Sequence, residues 1–159
     1  MTLTLFKRLG GAACLALVFS ACQQQSPPPY KGYKMAPYTV RGNRFVPMSV
    51  EQALRYDAVG VASHYEANGS IGAIGQKLYR GQLYAAHRTL PLPCTARVTN
   101  LENGLSCTVR IADRGPYIAG RMLDVSSEVA QRLRFHGKGL ARVRVQVLSV
   151  GDGAYRRTR

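Results

Sequence analysis

Asp113 holds the position in this sequence best suited to proton chemistry. It ends an alternating run, Leu105 through Ala112, and is followed at once by Arg114-Gly115-Pro116. Gly115 and Pro116 force the chain to turn, so a carboxyl at this strand end can be presented at a groove. A carboxyl acts as a general acid at neutral pH when burial or a nearby carboxylate raises its pKa. Arg114 would oppose that only with its side chain turned inward. A turn-capping aspartate is the alternative reading. Two other reactive types, Cys94 and Cys107, suggest a disulfide. However, Asn103-Gly104 is a strong hairpin signal. A two-residue loop there sets Asn100 opposite Cys107 and Cys94 opposite Asp113, with the thiols roughly 20 Å apart along the strand, beyond disulfide reach. No metal-ligand spacing is visible, and neither a metal nor a cofactor is expected.

The elements that must position these groups are short. A small hairpin is expected over 38–47, turning at Gly42-Asn43, and a strand over 59–65, with a glycine-rich loop over 68–75. Segments 96–101 and 105–111 alternate and form the two arms of one hairpin. A strand over 121–125 leads into a helix capped by Ser126 and running to Arg134, with Val129, Ala130 and Leu133 on one face. The last strand, 140–150, sets Arg142 and Arg144 against Val143, Val145 and Val147. Short strands without a repeating strand–helix alternation predict a mainly β barrel.

The bulk numbers bound the partner. With 22 Lys and Arg against 8 Asp and Glu, the net charge is +14, which implies an anionic partner without identifying it. The first 21 residues identify the compartment. Lys7 and Arg8 precede a short apolar stretch and small residues, a secretory leader too short to span a bilayer of about 30 Å as a helix. Export, the absence of Trp and the ordinary solvation of alternating strand arginines set nucleic acid aside. Phe19-Ser20-Ala21-Cys22 resembles a bacterial lipobox, in which Cys22 carries the lipid and becomes the amino terminus. Acyl chains at about 0.8 kcal/mol per buried methylene would anchor the protein, and Gln23, not Asp, fits outer-membrane sorting. Residues 22–32, rich in Gln and Pro, form a tether. Residues 33–150 form one domain and 151–159 a basic tail.

Several blocks together resemble the rare lipoprotein A family: Ala85-Ala86-His87-Arg88-Thr89-Leu90-Pro91, Arg97 through Gly104, Asp113-Arg114-Gly115-Pro116, Gly120-Arg121 with Asp124-Val125-Ser126, and Gly139 through Val145. The resemblance spans about 33–150. It implies a six-stranded double-psi β-barrel with one or two short helices. It also implies lytic transglycosylase activity on peptidoglycan glycan strands stripped of stem peptides; a monomer is expected. One carboxyl suffices for that reaction: it protonates the bridging oxygen, then takes the proton of the muramoyl 6-hydroxyl as a 1,6-anhydro ring closes. Asp113 is the expected acid and base. His87, placed in the site by the family motif, would bind sugar or orient Asp113, unless it is a satisfied structural histidine.

Substrate contacts are expected from Tyr65, Arg114 and Asn100. The family's glutamate eleven residues before the histidine is here Gln76, which hydrogen-bonds but cannot titrate and is expected, with His87, to support Asp113 in the catalytic site. The family's Ser-Trp-Tyr-Gly is Ser63-His64-Tyr65-Glu66, losing a sugar-stacking ring and offering Glu66 as a replacement carboxylate or, more simply, a solvated loop residue. The resemblance also associates the barrel with a carboxy-terminal glycan-binding domain. This chain stops at Arg159, so placement at a division site is expected to come from barrel, tether or partner. These departures keep a second reading open, a non-catalytic glycan-binding barrel.

Overall fold

The computed structural model describes residues 32–159. The leader, Cys22 and nearly all of the tether lie outside the described residues. The chain opens with the antiparallel hairpin β1 (Tyr38–Val40) and β2 (Asn43–Phe45), in which Val40 faces Asn43. Its two-residue loop is therefore Arg41-Gly42, one residue earlier than expected. Both residues have positive φ, 48° and 79°, as a type I′ turn requires. Helix α1 (Val50–Leu54) follows, an element the periodicity did not predict. Its start was legible: Ser49 accepts from the Gln52 backbone N–H while the Gln52 side chain accepts from Ser49 N–H, a reciprocal cap three residues apart.

The remaining strands are β3 (Asp57–Tyr65), β4 (Tyr84–Ala86), β5 (Cys94–Asn100), β6 (Ser106–Asp113), β7 (Arg121–Ser126), β8 (Leu140–Val150) and β9 (Arg157–Thr158), with α2 (Ser127–Arg132) between β7 and β8. They pair in the order β3-β7-β4-β6-β5-β8, and β8 returns to β3, closing a six-stranded barrel with no free edge among those six. The β3–β7 and β4–β6 pairs are parallel and the other barrel pairs antiparallel. The expected mainly β double-psi barrel with two short helices is what forms.

Strand β8 shows why. Val143, Val145 and Val147 are fully buried, while Arg142 and Arg144 point out and Arg144 forks onto the Asp57 carboxylate of β3 at 2.7 Å. Ala96 and Val98 of β5, Val109 and Ile111 of β6, and Leu123 and Val125 of β7 fill the same core. The alternation of period two thus puts one face of every strand inside the closed barrel.

The β5–β6 hairpin differs in register from the expectation. Cys94 faces Ile111, Val98 faces Cys107, and Asn100 N–H donates to Leu105, so the connection is a four-residue loop, 101–104. The cause is local. The Asn100 and Asn103 side-chain amides both donate to the Leu133 carbonyl just past α2, at 2.9 and 3.0 Å, which holds the loop open. The same pair of bonds meets the end of α2, where Arg134 takes φ 57° and stops the helix two residues short of its expected end. Residues 151–159 also join the fold: Asp152 pairs with Arg110, and Arg157 pairs with Val150.

Cys94 and Cys107 are free and buried. The observed register puts them four positions apart along the hairpin, roughly 13 Å, shorter than expected but still too far to bond. Burial pushes the Cys94 thiol up to about 12. At pH 8 a thiol-alkylating reagent should leave Cys94 unmodified until the chain is unfolded. Rapid native labelling of Cys94 in intact-mass spectra would contradict this burial.

Candidate active site

Strand β4 is three residues long and buried throughout, yet it organises the site. Ala86 is in register with Asp113 of β6 on one side and Asp124 of β7 on the other. The three residues form one row across the sheet, with a small buried residue between two half-buried aspartates. Two strand spacings separate the aspartate Cα atoms, roughly 10 Å. Gly115 lies over this row. A Cβ there would stand 3.8 Å from the Ala86 methyl and 3.9 Å from Asp124 Oδ2, and its φ of 136° favours glycine. The turn after Asp113 therefore folds back beside Asp124. Asp124 was not among the expected site residues, although Asp124-Val125-Ser126 was recognised as a block; only the β4 register shows that it shares a row with Asp113.

Each carboxylate is held from behind. Asp113 Oδ1 accepts backbone N–H groups from Ala73 at 2.9 Å and Arg114 at 2.8 Å, and Oδ2 accepts the Tyr65 hydroxyl at 3.4 Å. Asp124 Oδ1 accepts the Ser63 hydroxyl, which in turn accepts from Arg121 at 3.3 Å. Burial, followed by the negative charge of Asp113, raises the Tyr65 phenol, and Asp124 adds to that, so one hydroxyl feels both carboxylates. Tyr65 also meets Tyr84 edge-on, with centroids 5.5 Å apart. Of the expected substrate contacts, Tyr65 is thus brought to Asp113.

The other expected site residues take different places. The His87 ring is buried. Nδ1 accepts N–H groups from Thr89 and Leu90 at 3.1 and 3.0 Å, which puts the ring proton on Nε2, where it meets the Tyr56 hydroxyl at 3.1 Å. His87 reaches Asp113 only through the backbone, its N–H donating to the Asp113 carbonyl at 3.1 Å. Burial, with Arg88 and Arg114 nearby, pushes the ring down to about 3, so it is neutral and carries no proton traffic near pH 7. Arg114 turns away from the aspartates: its guanidinium donates to the carbonyls of Leu90, His87 and Lys34 and lies over the Tyr38 ring at 5.3 Å. Asn100 sits at the opposite end of β5 from the Asp113 end of the hairpin, fully engaged with Leu133 and Glu102. It belongs to the loop described above and not to the aspartate row.

Gln76 lies on the loop whose Ala73 donates to Asp113, but its side-chain oxygen faces Arg110 at 3.5 Å. Glu66 is exposed and paired with Arg80 at 2.8 Å, which lowers its pKa; it is the solvated loop residue and not a replacement acid. His64, at the position of the expected stacking ring, stacks on His136 with centroids 4.4 Å apart.

Two measurements check these assignments. In the unfolded chain a histidine titrates near 6.5, so as pH falls the unfolded state takes up the His87 proton first. That contribution to stability is complete above about pH 6.5 and drains away toward pH 3. His87→Asn, which keeps an acceptor near Nδ1, should flatten the melting temperature against pH across that window; an unchanged profile would contradict the neutral buried ring. Asn100→Ala should lower stability by about 2–3 kcal/mol through two lost buried hydrogen bonds, measured by urea unfolding, and leave glycan binding unchanged. A selective loss of binding would return Asn100 to the site.

Residues 57–145, more than half of the chain, match the family model described as lytic transglycolase. The endolytic peptidoglycan transglycosylase RlpA of Pseudomonas aeruginosa strain UCBPP-PA14 is 43% identical over 123 residues, 76% of this chain and 36% of that protein. The protein of the same name from Neisseria meningitidis serogroup A is 38% identical over 119 residues, 74% of this chain and 49% of that protein. The chain therefore spans half or less of the length of these relatives. Among solved structures, the Clavibacter michiganensis expansin aligns with a TM-score of 0.50 at 18% identity, covering 62% of this chain and 53% of that one. The Streptomyces papain inhibitor aligns with the same TM-score at 18% identity, covering 58% and 94%. These two likenesses concern the fold alone. Closed barrel, matched family model and relatives together place this chain in the lytic transglycolase family to which the RlpA proteins belong.

Proposed function

We propose that this protein is a lytic transglycosylase that cleaves peptidoglycan glycan strands, preferring strands without stem peptides, and leaves 1,6-anhydromuramic ends. The observation that carries the reading is the row Asp113, Ala86, Asp124. Ala86 is buried beneath the Gly115 turn, so the two half-buried carboxyl groups flank that turn on the strands either side of β4. Asp113 offers Oδ2, whose bond to Tyr65 is long, to protonate the bridging oxygen and then to accept the proton of the 6-hydroxyl as the ring closes. Asp124, steadied by Ser63, supplies negative charge beside the oxocarbenium-like centre. No water enters the products. The working unit is a monomer held by a lipid at Cys22 to the outer membrane, on its periplasmic side, with residues 22–32 spanning to the barrel.

A second reading, a glycan-binding barrel without catalysis, is favoured by one observation: Gln76 stands where the family has glutamate, and its amide oxygen faces Arg110. The two readings part on variants. Asp113→Asn should reduce release of soluble fragments from sacculi by at least about 100-fold, the range for losing a general acid, and Asp124→Asn should reduce it as well. Both variants should still pellet with sacculi. Wild-type protein that pellets without releasing fragments would select the second reading.

A further inference from the structure

The hairpin β1–β2 is bolted beside the Asp113 turn. The Tyr38 hydroxyl donates to the Arg88 carbonyl at 2.8 Å, Met48 N–H donates to the Thr89 carbonyl at 2.8 Å, and the Arg114 guanidinium covers the Tyr38 ring. Phe45 stacks on Tyr38 and meets the Tyr117 ring at a tilt, with centroids 5.3 and 5.6 Å apart. Tyr117 follows Gly115-Pro116, four residues after Asp113; burial chiefly raises its phenol, followed by Tyr38, with a smaller contribution from the Asp113 charge. Between hairpin and turn lies an open cleft lined by Arg41, Arg44, Phe45, Arg88 and Tyr117 among others.

Its charge is uncompensated. Among the described residues, Arg41, Arg44 and Arg88 take part in no ion pair, whereas Arg80, Arg110, Arg132 and Arg144 each have a carboxylate partner. Arg41 and Arg44 are exposed, and Arg88 is half-buried, donating to the Arg121 carbonyl at 3.0 Å. Aromatic rings beside unpaired guanidinium groups suit a ligand with an apolar ring face and a carboxylate. A glycan strand without stem peptides is such a ligand, because each muramic acid then carries a free lactyl carboxylate. A peptide-bearing strand has that carboxylate capped as an amide.

Resting on the function proposed above, we infer that this cleft is a subsite for a muramic acid next to the cleaved bond. In it a sugar ring lies against Tyr117 and Phe45, and Arg41, Arg44 and Arg88 take the free lactyl carboxylate. The subsite makes the absence of a stem peptide something the protein reads by charge as well as by bulk. Binding there should weaken with salt, as exposed guanidinium contacts do.

The test is calorimetric titration of the full chain, in detergent micelles and carrying Asp113→Asn to stop turnover. The ligands are two soluble peptide-free glycan fragments of equal length, one with free lactyl carboxylates and one with them converted to methylamides. The free acid should bind at least about tenfold tighter. Arg41→Gln with Arg44→Gln, both exposed positions, should abolish that preference and bind the two ligands alike at the weaker affinity. Equal binding of the two fragments by the parent protein, or a preference that survives the double substitution, would overturn the subsite while leaving the catalytic reading intact. Binding of neither fragment would overturn both.

Discussion

The three residues Tyr84, Ala85 and Ala86 hold β6 and β7 one strand apart, and the site depends on that placement. With β4 parallel to β6 and antiparallel to β7, residues eleven apart in the chain, Asp113 and Asp124, arrive in one row. Were β6 and β7 direct neighbours, the two carboxyl groups would stand about 5 Å apart in backbone spacing, with no small residue between them. The intervening Ala86 gives them separation, and its small side chain lets the Gly115 turn pack over the row. The same strand carries Tyr84, whose hydroxyl accepts the Ala67 N–H at 3.1 Å and so ties down the loop that brings Ala73 to Asp113. It leads directly into His87, whose ring orders the turn through Leu90.

Most of the barrel was legible because its strands alternate. Strand β8 could be read residue for residue, since Val143, Val145 and Val147 interleave with arginines that stay outside. Strand β4 could not. All three of its residues are buried and two are alanines, so it has neither alternation nor β-branched content. The hairpin register slipped by two for a different reason. Asn103-Gly104 does carry turn propensity, but the Leu133 carbonyl recruits the side chains of Asn100 and Asn103, and a tertiary bond overrode the local preference.

The polar residues of the candidate site were legible by type, and their hydrogen-bond partners were not. The Tyr65 hydroxyl donates to Asp113, a contact that residue types alone do not reveal. His87, Arg114 and Asn100 are polar residues of the kind that touch substrates, yet each is consumed by backbone groups: two N–H donors on the His87 ring, three carbonyls on Arg114, and a carbonyl and an N–H on Asn100. Buried polar groups must find partners, and in this barrel the turns supply them. Arg114 was expected to contact substrate. Its guanidinium instead lies over Tyr38 and fixes the hairpin that carries Phe45.

The central claim is that two aspartates flanking Ala86 break a glycosidic bond without water. Its most direct test is digestion of peptide-free glycan strands in water enriched in oxygen-18, followed by mass spectrometry of the products. The expected products are fragments ending in 1,6-anhydromuramic acid, one water lighter than a reducing end and free of the label. Reducing ends carrying oxygen-18 would mean that the row activates water as a hydrolase, and unaltered strands would mean that the barrel binds glycan without cutting it.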